Sequence, residues 1–229
     1  MTTTVDIKAI LAGAKLSKQY QKQLERITKE GNRTSMIEEA VDGVLKNIPQ
    51  AAGTSLVIYG EPQSGKTELM IGLTARLLDE GHHAIIHLVN DNVSLLSQNL
   101  DRFKLAGLAP SPRNVTEVVG GPISKGHNAL LFCKKNGKDL AKLINAVVNV
   151  RPVIVIDDEA DFATPNSKVN QKKQTAINRA VSEVLGADGV YIGVTATPAR
   201  LNLNNTFNNR TETWVRFKPH PAYTGQEVF

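Results

Sequence analysis

"TSLVIYGEPQSGKTELMIGLTARLLDEG", Thr54 to Gly81, decides the fold. It begins as a short apolar run, "TSLVIYG", that reads as a strand. It then passes through a polar, glycine-bearing turn and continues as an amphipathic helix closed by Gly81. The turn "GEPQSGKT" matches G-x-x-x-x-G-K-[ST] in full, and it sits between strand and helix as that motif requires. Its residues, Gly60, Glu61, Pro62, Gln63, Ser64, Gly65, Lys66 and Thr67, form a candidate phosphate cradle. Glycines let backbone N–H groups curl toward an anion without Cβ interference. The new helix adds its unsatisfied N–H groups and the positive end of its dipole. In this pattern Lys66 reaches the β- and γ-phosphates, and the Thr67 hydroxyl ligates Mg²⁺.

Outward from this unit, strands and helices alternate. "HAIIHLV", "NALLFC", "PVIVID" and "GVYIGVTAT" read as strands, with "VTEVV" as a further short one. "SLLSQNLDRFKLAG", "GKDLAKLINAVVNV" and "QTAINRAVSEVLG" read as helices between them. Short Val/Ile-rich strands separated by helices predict an α/β fold, a mainly parallel sheet with helices on both faces. Residues 1–50 read as an N-terminal helical segment, and Pro49 and Gly53 mark the boundary to residues 51–229. After Pro198 the pattern fades into an Asn-rich stretch read as a loop, followed by a strand at "WVRFK".

The run "VIVIDDEADFATP", Val153 to Pro165, drives a buried strand straight into four acids within five positions. Crowded carboxylates repel one another and lose hydration, so something must offset that cost. A divalent metal shared with phosphate oxygens would do so. Asp158 is assigned to Mg²⁺ and Glu159 to orienting and deprotonating an attacking water. Asp161 is expected to face neighbouring motifs, and Asp157 to belong either to the strand end or to the site. "GVTATPAR" places the hydroxyls of Thr195 and Thr197 at the carboxyl edge of the sheet, where open α/β folds bind ligands. There they are in position to hydrogen-bond Glu159 or Asp161.

Composition narrows the class less. The chain has 229 residues, 41% hydrophobic and 21% charged, as ordinary globular proteins do. The single Cys133 excludes an internal disulfide framework and fits a reducing cytosol. No apolar run is long enough to span a membrane, and the N-terminus lacks the basic start of a secretory signal. The formal net charge of +5 is compatible with a nucleic-acid partner without requiring one. His82, His83 and His87 lack metal-ligand spacing and read as structural, Trp214 and Phe217 as strand packing, and Ser167–Gln174 as a solvated basic loop.

"GEPQSGKT", "IDDEAD" and "TATP" resemble, in order and rough spacing, motifs I, II and III of superfamily-two helicases, the group of the DEAD-box proteins. The text is more similar still to the Z-one domain ATPases associated with bacterial restriction-modification systems. The matching stretches include "CKKNGKDLAKL", "IDDEADFATPN", "TAINRAV", "YIGVTATPAR" and "HPAYTGQEVF". The resemblance covers Ser55 to Phe229. It implies a RecA-like P-loop NTPase domain using ATP and Mg²⁺, with DNA as its track, expected to be double-stranded. Family roles carry onto Lys66, Thr67, Asp158, Glu159, Asp161, Thr195 and Thr197. Asn90, Asn92 and Gln98 fall where the family's first DNA-backbone motif lies; as helix caps and solvated polar residues they read equally well.

Such motors complete their site with an arginine finger from a second RecA-like domain or subunit, and this chain offers no match; Arg200 does not occupy that position. Weak hydrolysis by the isolated chain is therefore expected. The resemblance further implies a nuclease partner, and the expected location is the cytoplasm of a bacterial or phage-infected cell. Two other readings stay open. One is a nucleotide-dependent switch or clamp that does not move along DNA. The other is a phage DNA-packaging or remodelling ATPase.

Overall fold

The computed structural model describes residues 18–48, 54–62, 64–161, 175–197 and 211–219. Two helices come first, α1 (Gln19–Lys29) and α2 (Ser35–Asn47). Then follow β1 (Thr54–Gly60), α3 (Lys66–Asp79), β2 (Ala84–Val89), α4 (Val93–Leu105), β3 (Arg113–Asn114) and β4 (Ala129–Lys134). The remainder is α5 (Gly137–Val147), β5 (Ile154–Asp158), α6 (Ala176–Leu185), β6 (Val190–Thr195) and β7 (Thr211–Phe217).

The strands form one parallel sheet in the order β3-β4-β2-β5-β6-β1-β7. Alternate residues feed two cores, as the period of two in a strand demands. Leu56, Ile58, Ile156 and Ile192 face α1–α4, whereas Val57, Val155 and Tyr191 face α5 and α6. Burial on both faces explains the nearly continuous apolar strands. The architecture is therefore a RecA-like α/β sheet with helices on both sides.

The N-terminal helices are not an appendage. Tyr20, Ile27, Val41 and Val44 enter the same core as Leu56 and Leu73, so the boundary near residue 50 separates no second core among the described residues. Gln23 is buried and donates to Ala106 O at 2.8 Å. Residues 1–17 lie outside the described residues, as does the Ser167–Gln174 loop.

Two expectations need correction. Val115–Glu117 is a 3₁₀ turn rather than a strand, because the Asn114 side chain accepts from Thr116 N at 3.0 Å and caps it. The strand there is Arg113–Asn114 alone. The last strand begins at Thr211, inside the stretch read as loop, and pairs in parallel along all of β1. Phe217 is buried, whereas Trp214 is 39% exposed. His87 is buried between Phe103 and Phe132 and shares a 2.9 Å hydrogen bond with Thr74; burial lowers its pKa to about 3, which keeps the ring neutral. Cys133 is buried, and burial pushes its thiol pKa up. Among the described residues no helix is long and apolar enough to cross a membrane.

The N-cap of α1 is Lys18, which makes no side-chain cap. Instead Asp79, at the end of α3, accepts from Gln19 N at 3.0 Å and Tyr20 N at 2.9 Å. Replacing Asp79 with Ala leaves those N–H groups unsatisfied and should cost about 1–2 kcal/mol, the range of a lost cap. A urea midpoint equal to that of the parent would show that α1 docks without this contact.

Candidate active site at the carboxyl edge of the sheet

β1 ends at Gly60 and α3 starts at Lys66, so the phosphate-loop sequence turns at the carboxyl edge of the sheet. Gly65 takes φ +88° at the helix N-cap, a conformation that side chains resist. A Cβ on Gly60 would lie 3.0 Å from Phe217 Cδ1 and 3.1 Å from Ser64 Oγ, so β7 packs directly against the turn. Ser64 N donates to Glu61 O at 3.2 Å; Pro62 is exposed, and Gln63 lies outside the described residues. The Lys66 ammonium donates to Gly60 O at 3.2 Å and Glu61 O at 2.7 Å. Burial lowers its pKa, and the charges of Asp158, Glu159 and Asp161 oppose that shift. The lysine of the first motif therefore lies within electrostatic reach of the acids of the second. Thr67 Oγ1 accepts from Arg102 Nη1 at 3.3 Å.

The acids sit on β5, two strands from β1 across β6. Asp157 is fully buried, 3.0 Å from Lys135 Nζ, and its other oxygen accepts from Tyr191 OH at 2.7 Å. Asp158 follows, and burial, then Glu159 and Asp157, raises its pKa to about 6 against a smaller opposing effect of Lys135. Glu159 has φ +51°, the only non-glycine residue among those described with a positive φ. For an L-residue that conformation costs about 1–2 kcal/mol. Lys135 Nζ donates to both Asp158 O and Glu159 O at 2.9 Å. The Glu159 carboxylate accepts from the Asn90 amide.

Asp161 joins the third motif. Thr195 Oγ1 donates to one of its oxygens at 2.7 Å and Thr197 Oγ1 to the other, while Thr197 N donates back to Thr195 Oγ1 at 2.9 Å. All three motifs thus meet at one edge. Of the candidate nucleic-acid residues, Asn90 contacts Glu159, Asn92 caps α4 by accepting from Leu95 N at 3.0 Å, and Gln98 is exposed on α4.

Sequence reading passed over Lys135 and the depth of Asp157. The signal available was a doubled lysine at a strand end: successive residues point to opposite sides, so one of Lys134 and Lys135 had to turn inward. Lys134 instead pairs with Asp91 at 3.2 Å. Reading also passed over a cleft of about 180 Å³ beside the loop, bounded by Ile27, Met36 and Phe217 on its apolar side and by Ser64, Gly65 and Glu68.

The donor chemistry suits magnesium brought in by a triphosphate. Thr67 offers a hydroxyl, Asp158 a carboxylate crowded by other acids, and Lys66 a cation nearby. Among the described residues no group of three or more His, Cys, Asp or Glu side chains could hold a metal without phosphate oxygens.

No protein-family model matches this sequence, and no curated protein matches it either. Solved structures do. A hypothetical ATP-dependent RNA helicase from Sulfolobus tokodaii superposes with a TM-score of 0.52 at 14% identity, over 85% of this chain and 57% of that one. The DUF1998 helicase MrfA superposes with a TM-score of 0.51 at 13% identity, over 97% of this chain and 34% of that one. The chain thus spans less than two thirds of either protein. At these identities the likeness is one of fold: the chain has the RecA-like fold found in helicase domains.

The Asp158 pKa sets a pH signature. The folded protein holds this proton up to about pH 6, whereas an ordinary aspartate releases it near 3.8. The stabilisation is complete below about pH 4 and is lost as pH rises through about 6. Asp158→Asn removes the titration, so between those limits the parent should lose up to ~3 kcal/mol relative to the variant. Urea unfolding across that range checks this; parallel stability curves would contradict it.

Proposed function

We propose that this chain is the ATP-binding first motor domain of a helicase- or translocase-like ATPase that acts on DNA. The observation that carries the reading is the meeting of the three motifs at one sheet edge: β1, β6 and β5, which lead into them, lie side by side and parallel, and Asp158, Glu159 and Asp161 act by charge on Lys66. A phosphate loop alone suits many reactions. A loop facing these acids, with Asp161 tied to Thr195 and Thr197, suits an ATPase that couples nucleotide state to its surroundings.

In this reading the triphosphate displaces Gly60 O and Glu61 O from the Lys66 ammonium, and the amides opening α3 receive phosphate oxygens. Thr67 and Asp158 would hold magnesium, which when bound neutralises the charge on the β- and γ-phosphates. Glu159 accepts the proton of the attacking water. The cleft between Phe217 and the α1–α2 turn takes the nucleobase. The Asp161–Thr195–Thr197 contacts report γ-phosphate loss to the rest of the motor.

The finer proposals rest on the resemblance to Z-one ATPases. They are a double-stranded DNA track, a second RecA-like domain or subunit supplying an arginine finger, and a restriction endonuclease as partner, in the cytoplasm of a bacterial or phage-infected cell. Such a finger is worth ~10³–10⁵ in rate where it operates, so residues 1–229 tested alone should turn over slowly.

Two variants test the reading with Mg-ATP. Lys66→Ala should weaken nucleotide binding by ~10²-fold or more, because the cation that meets the phosphates is gone. Glu159→Gln should keep the affinity and slow hydrolysis by ~10²–10⁴-fold, the loss of a general base. Titration of a fluorescent ATP analogue and phosphate release read the two effects. Unchanged binding by Lys66→Ala would overturn the site, and stimulation of the parent by DNA would separate a motor from a clamp.

A further inference from the structure

We propose that Lys135 is a positioning residue of the hydrolytic step: its ammonium fixes the backbone of Asp158 and Glu159 so that the Glu159 carboxylate is aimed at the attacking water. The inference rests on the ATPase reading above and assigns a role to a residue outside the three motifs.

The Lys135 side chain is fully buried, as is that of its partner Asp157. An ammonium has three donors. Here it donates to Asp158 O and Glu159 O, each at 2.9 Å, and pairs by charge with Asp157 Oδ1 at 3.0 Å. Tyr191 OH holds the other oxygen of Asp157, so the anchor cannot swing away. The lysine's own backbone is fixed too: Lys135 N donates to Val89 O at 2.8 Å, at the end of β2. The next residue in the chain is Asn90, whose amide holds the Glu159 carboxylate. Glu159 is thus gripped twice from one corner of the sheet, by its carbonyl and by its side chain.

A buried ion pair is a poor way to gain stability, since well-packed apolar residues of similar volume usually do as well or better. An apolar side chain cannot, however, hold two carbonyls. One of these belongs to a residue at φ +51°, a conformation that persists only when its surroundings impose it. Without the ammonium the peptide relaxes toward ordinary φ, and relaxation about Glu159 rotates its Cα–Cβ bond. Lys135 touches no reacting atom in this scheme. It acts through Glu159.

Lys135→Ala is an ambiguous probe because it strands a buried carboxylate and invites unfolding. The informative variant is Lys135→Met combined with Asp157→Asn, which removes the donor without leaving a charge behind and keeps an acceptor for Tyr191. Residues 1–229 are assayed by single-turnover ATP hydrolysis and by titration with a fluorescent Mg-ADP analogue, with circular dichroism to confirm folding. We expect nucleotide affinity within about threefold of the parent and a hydrolysis rate lower by ~10²-fold, the cost of a small misplacement at a reacting centre. Lys135→Arg, which keeps the charge and donors in a different shape, should recover part of that loss. A folded double variant that hydrolyses within about threefold of the parent overturns the inference and leaves the ATPase reading intact. Equal losses of affinity and rate also overturn it, because Lys135 would then merely support the whole site. A parent that neither binds nor hydrolyses Mg-ATP would instead overturn the ATPase reading, and this inference with it.

Discussion

Four carboxylates in five positions at the end of a buried strand are the constraint around which this edge of the molecule is built. Left alone they would repel one another, and Asp157, fully buried, lies where water cannot screen it. Each is answered differently. Asp157 lies deepest and is neutralised by Lys135 with help from Tyr191. Asp161 is turned aside to the hydroxyls of the adjacent motif. Glu159 is held by the uncharged amide of Asn90. Asp158 accepts from Glu159 N at 3.1 Å and feels Lys135, yet burial, then Glu159 and Asp157, raises its pKa to about 6.

The sheet order makes this arrangement possible. β6 lies between β1 and β5, and all three run in the same direction, so their carboxyl ends open onto one crevice. Ligands of open α/β folds bind outside such ends. The register pairs Asp158 with Val194 and Tyr59 with Thr195. In parallel strands a shift of one residue would turn the third-motif hydroxyls to the other face. Ala160 N donates to Val194 O at 3.0 Å, which continues the pairing past the strand end and draws the acidic turn over β6. Gly193 leaves room for that approach: a Cβ there would stand 2.9 Å from the Ala160 Cβ.

How much of this could be read from the sequence depended on whether the signal was local. Strand, glycine turn and helix follow one another from Thr54 to Gly81, so that unit was legible from period and turn chemistry alone. The acids were legible because an apolar run ending in charges demands an explanation. Lys135 was not, because its partner lies on another strand and only the β4-β2-β5 order brings the two together. β7 was misjudged at its start because Thr211, Glu212 and Thr213 carry no apolar pattern. They lie in a strand because β1 offers an unpaired edge along its whole length. The polar N-terminal helices showed only a thin apolar stripe, yet that stripe suffices to bury Tyr20 and Ile27. Gln23 is buried among them because its amide finds the carbonyl at the end of α4, a partner that no spacing rule could name.

The phosphate loop itself depends on segments far from it in sequence. A glycine-rich turn gains conformational freedom from having few side chains, and the same freedom must be removed if its amides are to point one way. Phe217 of β7 closes against Gly60 and lines the cleft beside Gly65. Arg26 of α1 pairs with Glu68 in the first turn of α3, directly after the motif. Met36 and Ile37 of α2 line the same flank, and Ile37 lies so near Gly72 that a Cβ there would come within 3.1 Å of its Cγ2. The turn is therefore held from one side by helices that precede it and from the other by β7. Eight residues mark the proposed phosphate site, but the rigidity that would let their amides grip an anion without reorganising comes from packing of the two ends of the described chain against them.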